Sequence, residues 1–156
     1  TVQKIVHKNL ESLGGVSYDQ SELQYANEIY QTFIDPDNLI GSQETIRPFK
    51  TSHGYGSTDV GDVSWNVPTA GLRTATWVPG TASHSWQAVA SGGTSIGVKG
   101  AELAAKTLAK SIIEILSNPS IIEVAQEELD RRVGEDFVYQ PLLGDRKPPL
   151  DYRKVN

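Results

Sequence analysis

The sequence of 156 residues contains no cysteine, and this absence excludes several kinds of site at once. Disulfide bridges, zinc ribbons and thiol nucleophiles all depend on cysteine. No run of apolar residues approaches the roughly 20 that a membrane-spanning helix needs, and the N-terminal segment has no signal-peptide pattern. We therefore expect a protein of a reducing, cytoplasmic compartment that has no membrane partner.

Methionine is also absent, even from position 1. This absence predicts that Thr1 is a trimmed start and that the chain is a fragment of a longer protein. The sequence also lacks an excess of positive charge, since its formal net charge is −5 and its basic residues are spread along the chain. Nucleic-acid-binding proteins carry a basic patch or stripe, so we expect no nucleic-acid partner.

Most of the chain shows helical periodicity. Apolar residues recur at helical spacing in four segments, which predict helices over residues 2–13, 17–34, 96–117 and 119–133. In the third segment, the stripe predicted to be buried consists of Val98, Ala101, Ala105, Leu108, Ile112 and Ile115. The opposite face is predicted to be exposed to solvent and consists of Lys99, Glu102, Lys106, Lys110 and Glu114.

A single segment has the pattern of a β-strand. Residues 72–78 alternate in the manner of a strand and are followed by Pro79-Gly80, which closes it. Since one strand cannot form a sheet by itself, further strands are needed. We therefore predict an α/β fold with helices packed on a small sheet. Most of the other strands would come from sequence outside this chain, and one short strand from residues 38–56.

Two loops rich in small residues carry the candidate functional side chains. Asp59 and Asp62 lie three residues apart in a glycine-rich turn, and His84 follows the predicted strand. Loops at the carboxyl ends of strands are where α/β folds place functional residues. His84 is then a metal ligand, a base, a helix cap or a plain surface histidine. The aspartates bind a metal, orient a metal-binding histidine, or serve as turn and cap residues, and spacing alone leaves these alternatives open.

Other polar residues give weaker signals. His53 adjoins the glycines and is either a substrate contact or an ordinary loop residue, while His7 is predicted on the solvated side of the first helix. A serine hydrolase is suggested by Ser57, Ser64, Ser83 and Ser85. However, no Gly-x-Ser-x-Gly elbow is present. The glycine-rich segment also lacks the Lys-Ser/Thr ending of a phosphate-binding loop.

Taken together, the two loops resemble a known family. The segment Gly56-Ser57-Thr58-Asp59-Val60 resembles the Gly-Ser-Glu-Asp-Phe or Gly-Thr-Asp segment of the M20 metallopeptidases and amidohydrolases. The Pro-Gly turn before His84 resembles the loop that holds that family's last metal-ligand histidine. The strings STDVGDVSWNVPT and PGTASHSWQ are more similar to one subgroup, the B subunits of aminobenzoyl-glutamate hydrolases. The resemblance covers residues 1–150.

This resemblance implies roles for individual residues. It makes His84 a metal ligand and Asp59 an acid that supports the site. Gly80, Thr81 and Ser83 match the turn whose backbone lies near the substrate.

The chain also departs from the family pattern. Thr58 stands where many members have glutamate. The resemblance gives Asp62 no role, and we predict it, beside Asp59, as a candidate supporting acid from its place in the glycine-rich turn. The family's early His-x-Asp motif, its bridging aspartate, its Glu-Glu pair with the general base, and its lid domain have no match here. The adjacent Glu127 and Glu128 are interpreted as a solvated helix face. The resemblance therefore implies that residues 1–156 are the C-terminal segment of an M20-like catalytic domain, inactive by itself.

The function that the resemblance implies is a metal-dependent amidohydrolase. Such enzymes use a pair of divalent ions, usually zinc, to lower the pKa of a water that attacks the amide carbonyl. The implied substrate is an N-acyl or p-aminobenzoyl amino acid, such as aminobenzoyl-glutamate, and the expected protein partner is a second copy or a homologous A-type subunit. The alternatives are a non-catalytic interaction or regulatory module, which keeps the fold but not the site, and a serine hydrolase.

Overall fold

The computed structural model describes residues 1–51, 54, 56, 58–151 and 153, which form helices joined by loops. The helices are α1 (Val2–Leu13), α2 (Gln20–Tyr30), α3 (Val60–Ser64), α4 (Trp86–Gly92), α5 (Ser95–Ser117) and α6 (Ser120–Val133). A 3-10 turn covers Ser42–Glu44. Of the helices in this described part, none is long and apolar enough to cross a membrane.

The described residues include no β-strand, so the α/β prediction with helices on a small sheet is wrong for them. Residues 72–78 are irregular, because a strand exists only through hydrogen bonds to a neighbouring strand. Near the ends of this segment, the backbone bonds to side chains instead. Gly71 exchanges hydrogen bonds of 2.8 and 3.0 Å with the Gln3 amide, and the Trp77 carbonyl accepts from the Tyr18 hydroxyl at 3.4 Å.

The predicted helix ends are largely confirmed. Asp19 and Glu22 form a capping box at the start of α2, in which each side chain accepts a hydrogen bond from the other's backbone N–H, at 2.9 and 2.8 Å. Gly14 and Gly134 follow α1 and α6 with φ of +82° and +89°, which glycine adopts without a steric penalty. The second helix ends at Tyr30, earlier than predicted.

The core lies where α1, α2 and α5 meet the irregular segment. Its buried apolar residues are Leu10, Val16, Tyr18, Ala26, Ile29, Val78, Ile96 and Leu103. Burial raises the pKa of Tyr18 to about 12, and the nearby Glu22 carboxylate adds to this effect.

The buried face of α5 is not the predicted one. The residues that α5 buries are Ile96, Gly97, Gly100, Leu103, Thr107 and Ser111. A Cβ on Gly100 would lie 2.4 Å from the carbonyl oxygen of Ala75, so only glycine permits this approach of helix and backbone. The predicted buried stripe is therefore wrong, because close backbone approach selects small residues rather than large apolar ones. On the face predicted to be exposed to solvent, Glu102, Lys106 and Lys110 are exposed as predicted.

Polar side chains join α1 to α5 within this interface. Asn9, 1% exposed, donates hydrogen bonds to the Ser111 hydroxyl at 3.2 Å and to the Glu114 carboxylate at 3.0 Å. The bond from Asn9, together with the one from the Lys8 ammonium, holds the pKa of Glu114 below its usual value. The helices are thus joined by a hydrogen-bonded seam as well as by apolar contact.

The prediction that Lys99 is solvated is wrong, because it pairs with the buried carboxylate of Glu22. Its ammonium also donates to the Ser17 carbonyl at 3.1 Å. Burial acts to raise the pKa of Glu22, but hydrogen bonds from Lys99, Ser95 and the Asp19 backbone outweigh it and leave the pKa below its usual value. Glu22 is therefore held as a buried anion that ties α2 to α5.

Candidate functional site

The loop that carries His84 begins with a tight turn at residues 78–81. Both the backbone N–H and the hydroxyl of Thr81 donate to the Val78 carbonyl, at 3.1 and 2.6 Å. Gly80 has a φ of +90°, and a Cβ there would lie 2.7 Å from the Cβ of Pro36. Glycine is therefore needed at this turn both for its backbone conformation and for the space it leaves.

His84 lies at the far end of this loop, with its side chain exposed. Its φ is +60°, a left-handed conformation that is uncommon for residues other than glycine, although histidine is among those enriched in it. The next residue, Ser85, starts α4 by accepting from the Ala88 N–H at 3.3 Å and donates to the Ala82 carbonyl at 2.7 Å. The turn before His84 and the cap after it hold the strained residue in place.

A groove of about 1050 Å³ runs beside this loop. Gly80, Thr81 and Ser83 are among the residues that line it, and α1 contributes Val6 and Leu10. The three residues predicted to lie near the substrate therefore share one groove, whereas the described lining does not include His84, Asp59 or Asp62.

Asp59 precedes α3 and Asp62 lies on it. Within the described residues, neither aspartate is hydrogen-bonded to His84. Asp59 occupies the N-cap position of α3, but its side chain makes no capping bond and is exposed. Asp62, in the first turn, is also exposed and accepts a hydrogen bond from the Tyr139 hydroxyl at 2.7 Å. This bond raises the pKa of Tyr139, and desolvation adds to the rise.

The C-terminal tail packs on α3 through a second contact. The rings of Trp65 and Phe137 stack with their centroids 4.9 Å apart. Phe137 and Tyr139 therefore anchor the tail, whereas Leu142 further along it is 100% exposed. Sequence reasoning missed the Asp62–Tyr139 pair, since no local pattern links residues 77 positions apart.

Two further candidate site residues, His53 and Ser57, lie outside the described residues. The prediction that His7 is solvated is wrong, since only 16% of its side chain is exposed. It packs edge-on against Phe49 at 5.3 Å between ring centroids, and its Nε2 atom lies 3.2 Å from Glu11. The aromatic neighbour comes from a loop, so helical periodicity does not reveal it.

The Glu127–Glu128 pair is only partly solvated. Glu127 is exposed, but 21% of the Glu128 side chain is exposed and it lies 2.5 Å from the Arg132 guanidinium. The spacing of four residues is the one that allows ion pairs along a helix, so Glu128 has a structural partner within α6.

The described residues do not complete a metal site. In this part of the chain, no three histidine, aspartate or glutamate side chains come together in a way that could hold an ion. A catalytic zinc usually has three protein ligands and a water. His84 supplies one suitable donor, and its exposure leaves the imidazole accessible. The remaining donors of a zinc site are not among the described residues, so we assign no reaction step to a metal here.

Comparison with known proteins yields a curated relative. The chain is similar to the B subunit of the p-aminobenzoyl-glutamate hydrolase of Escherichia coli (strain K12), with 28% identity over 153 aligned residues. The alignment covers 82% of this chain and 32% of the relative, so the chain spans about a third of that protein's length. No family model and no solved structure matches the chain. The similarity to the aminobenzoyl-glutamate hydrolase B subunits is thus confirmed, and membership of the M20 family stays a prediction.

Proposed function

We propose that this chain is part of a metal-dependent amidohydrolase that cleaves the amide bond of an N-acyl or p-aminobenzoyl amino acid. The observation that carries the proposal is the similarity, over 82% of the chain, to a hydrolase subunit. The loop at residues 78–85 supports it, because His84 is exposed there in a left-handed conformation. Strained residues of this kind cluster at active sites and ligand clamps.

In this proposal, His84 is one ligand of a divalent metal, zinc. Asp59 and Asp62 support the site, while Gly80, Thr81 and Ser83 lie on the substrate side. The other ligands and the general base come from outside these residues, in line with the threefold greater length of the relative. The complete enzyme is cytoplasmic and works with a homologous A-type subunit, since the relative carries the name of a B subunit.

A second candidate is a non-catalytic interaction or regulatory module. The observation in its favour is that the described residues hold no cluster of metal-binding side chains. The two candidates differ in one measurable respect, because only the amidohydrolase needs the His84 imidazole for turnover.

The test is hydrolysis of p-aminobenzoyl-glutamate by the complete protein, assayed with and without a companion subunit. We expect a chelator to abolish the activity and zinc to restore it. We also expect His84→Asn to lower kcat/KM by at least about 100-fold, since losing even a group that supports a metal ligand costs 10–100-fold. Asparagine tolerates the left-handed backbone, so this variant removes the imidazole while keeping the loop conformation.

The matched control is Ala82→Asn, which adds the same amide at an exposed position of the same loop. It should retain the wild-type rate. Equal activity in His84→Asn and wild type would contradict the proposed role of His84. Activity that survives the chelator and is blocked by a serine-reactive reagent would instead indicate a serine hydrolase. A folded protein that hydrolyses no amide would favour the interaction module.

A further inference from the structure

The contact between the C-terminal tail and α3 joins two segments that lie far apart in the sequence. The tail turns after α6, where the Phe137 N–H donates to the Gly134 carbonyl at 3.2 Å. The Phe137 ring then stacks on Trp65, and the Tyr139 hydroxyl donates to the Asp62 carboxylate. We call Phe137 and Tyr139 the latch.

The helix that the latch contacts has little else to hold it in place. α3 has five residues, none of them buried, and helices as short as this are not stable by themselves in water. Its N-cap residue, Asp59, makes no capping bond. Among the described residues, the other hydrogen bonds of α3 stay within residues 58–67. The latch therefore supplies the hydrogen bond and the ring contact that tie α3 to a distant part of the chain.

The spacing of the contact residues fits a clamp across one side of α3. Asp62 lies in the first turn and Trp65 is the C-cap residue, and residues three apart are neighbours on a helix surface. On the tail, the latch residues are separated by Val138, which is 76% exposed, whereas Tyr139 is half-buried. The latch thus contacts α3 at both of its ends, while the residue between the two latch side chains faces solvent.

We propose that the latch is a positioning device, in which Phe137 and Tyr139 hold α3 so that Asp59 keeps the orientation that the amide-hydrolysing site requires. This inference rests on the proposed function, in which Asp59 is an acid that supports the site. Asp62 supports the same site indirectly, as the residue to which Tyr139 binds. The four side chains of the contact all lie within the described residues.

The exposure of the contact suits a role in local order more than in overall stability. Phe137 and Trp65 are 37% and 50% exposed, so the stack can open while the buried core stays intact. Segments with few buried contacts open locally at a much lower free energy than global unfolding requires. A displacement of a positioned group by as little as about 1 Å is enough to slow a reaction strongly. Loss of the latch should therefore change turnover more than it changes unfolding.

The first arm of the test is hydrogen–deuterium exchange of the complete protein, followed at the backbone amides of residues 61–67. The double variant Phe137→Leu/Tyr139→Phe removes the ring stack and the hydroxyl but keeps apolar side chains. We expect these amides to exchange about tenfold faster in the double variant, since one aromatic pair and one hydrogen bond are lost. Val138→Ala is the matched control, because it trims the exposed residue between the latch residues, and it should exchange as the wild type does.

The second arm is steady-state hydrolysis of p-aminobenzoyl-glutamate by the same proteins. We expect kcat to fall about tenfold in the double variant, which is the lower end of the loss seen when a group that supports a metal ligand is removed. KM should change by less than about twofold, because the residues proposed to lie near the substrate belong to a different loop. Phe137→Tyr/Tyr139→Phe restores a ring opposite Trp65 and should recover most of the lost kcat. Circular dichroism checks that each variant folds.

The two arms separate failure of the latch from failure of the proposed function. Equal exchange at residues 61–67 in the wild type and the double variant would overturn the latch, and so would an equal effect of Val138→Ala. Faster exchange with an unchanged kcat would overturn the positioning role while leaving the proposed function intact. A wild type that hydrolyses no amide would contradict the proposed function, and the exchange arm would still decide whether the latch holds α3.

Discussion

The seam between α1 and α5 and the loops at residues 58–85 are held together by different kinds of contact. In the seam, residues from distant parts of the chain meet in a buried interface, as Asn9 and Ser111 do. In the loops, most hydrogen bonds join residues two to four apart, such as Thr81 with Val78 and Ser85 with Ala82. The difference shows that the helices provide a framework by close packing, whereas local turn chemistry shapes the loop that presents His84.

This contrast predicts unequal responses to substitution. Contacts in the buried framework exclude water, so their loss leaves unpaired groups or clashes that the structure cannot relieve. Contacts in the exposed loops are replaced by water at little cost. Substitutions in the framework should therefore lower the free energy of unfolding, and similar substitutions in the loop region should leave it nearly unchanged.

The largest effect is expected from Lys99→Met. The substitution leaves the Glu22 carboxylate, which is 4% exposed, without its cation. Removing one partner of a buried ion pair usually destabilises a protein by roughly 3 kcal/mol or more. We expect a loss near roughly 3 kcal/mol, because the Lys99 side chain is 38% exposed and its charge is partly hydrated. Urea unfolding at neutral pH measures this loss.

Lys106→Met is the matched control, because Lys106 pairs with Glu102 and both side chains are more than half exposed. It should cost no more than about 0.5 kcal/mol. Since the folded-state pKa of Glu22 lies below its ordinary value of 4.5, its contribution to stability is present above pH 4.5 and is lost as the pH falls through the folded pKa. The difference between wild type and Lys99→Met should shrink on acidification, and a difference independent of pH would contradict the ion-pair explanation.

A smaller effect is expected from Gly100→Ala. The new Cβ would lie 2.4 Å from the Ala75 carbonyl oxygen, so backbone must move, at a cost of roughly 2 kcal/mol. Gly61→Ala on α3 is the control, since a Cβ there meets nothing within 4 Å. It should stabilise the protein by up to about 1 kcal/mol through helix propensity. Thermal unfolding measures the change in stability of each variant. If both substitutions changed stability in the same direction, the explanation by close backbone approach at Gly100 would be wrong.

The smallest effects are expected from removing two tyrosine hydroxyls. Tyr25→Phe deletes a partly buried hydrogen bond of 2.7 Å to the Ala90 carbonyl and should cost about 1 kcal/mol. Tyr139→Phe deletes the exposed bond to Asp62 and should cost less than Tyr25→Phe, because water replaces an exposed partner. Urea unfolding separates the two. An equal or larger loss in Tyr139→Phe would show that the tail contributes to the framework.

The same contrast explains which parts of the fold can be predicted from the sequence. Helix positions and caps follow from local chemistry, so the Asp19 capping box and the glycine after α6 were predictable. The buried face of α5 was not, because Gly100 is buried against the backbone of Ala75, which is distant in the sequence. The strand pattern at residues 72–78 was misleading, since alternation does not supply a neighbouring strand.

For the candidate site, motif resemblance located the loops and the curated relative agrees with that resemblance. Local signals also identified the turn at Gly80. The Asp62–Tyr139 bond and the enclosure of His7 were not predictable, because each joins segments far apart in sequence. The roles of His84, Asp59 and Asp62 stay predictions that depend on chemistry beyond the described residues.

The most direct test of the central claim is the metal content of the purified complete protein, measured by elemental analysis for wild type and His84→Asn after the same dialysis. If His84 is a metal ligand, the wild type retains zinc and the variant retains markedly less, while circular dichroism of the two is the same. A variant that keeps as much zinc as the wild type, together with the wild-type rate of amide hydrolysis, would contradict the assignment of His84.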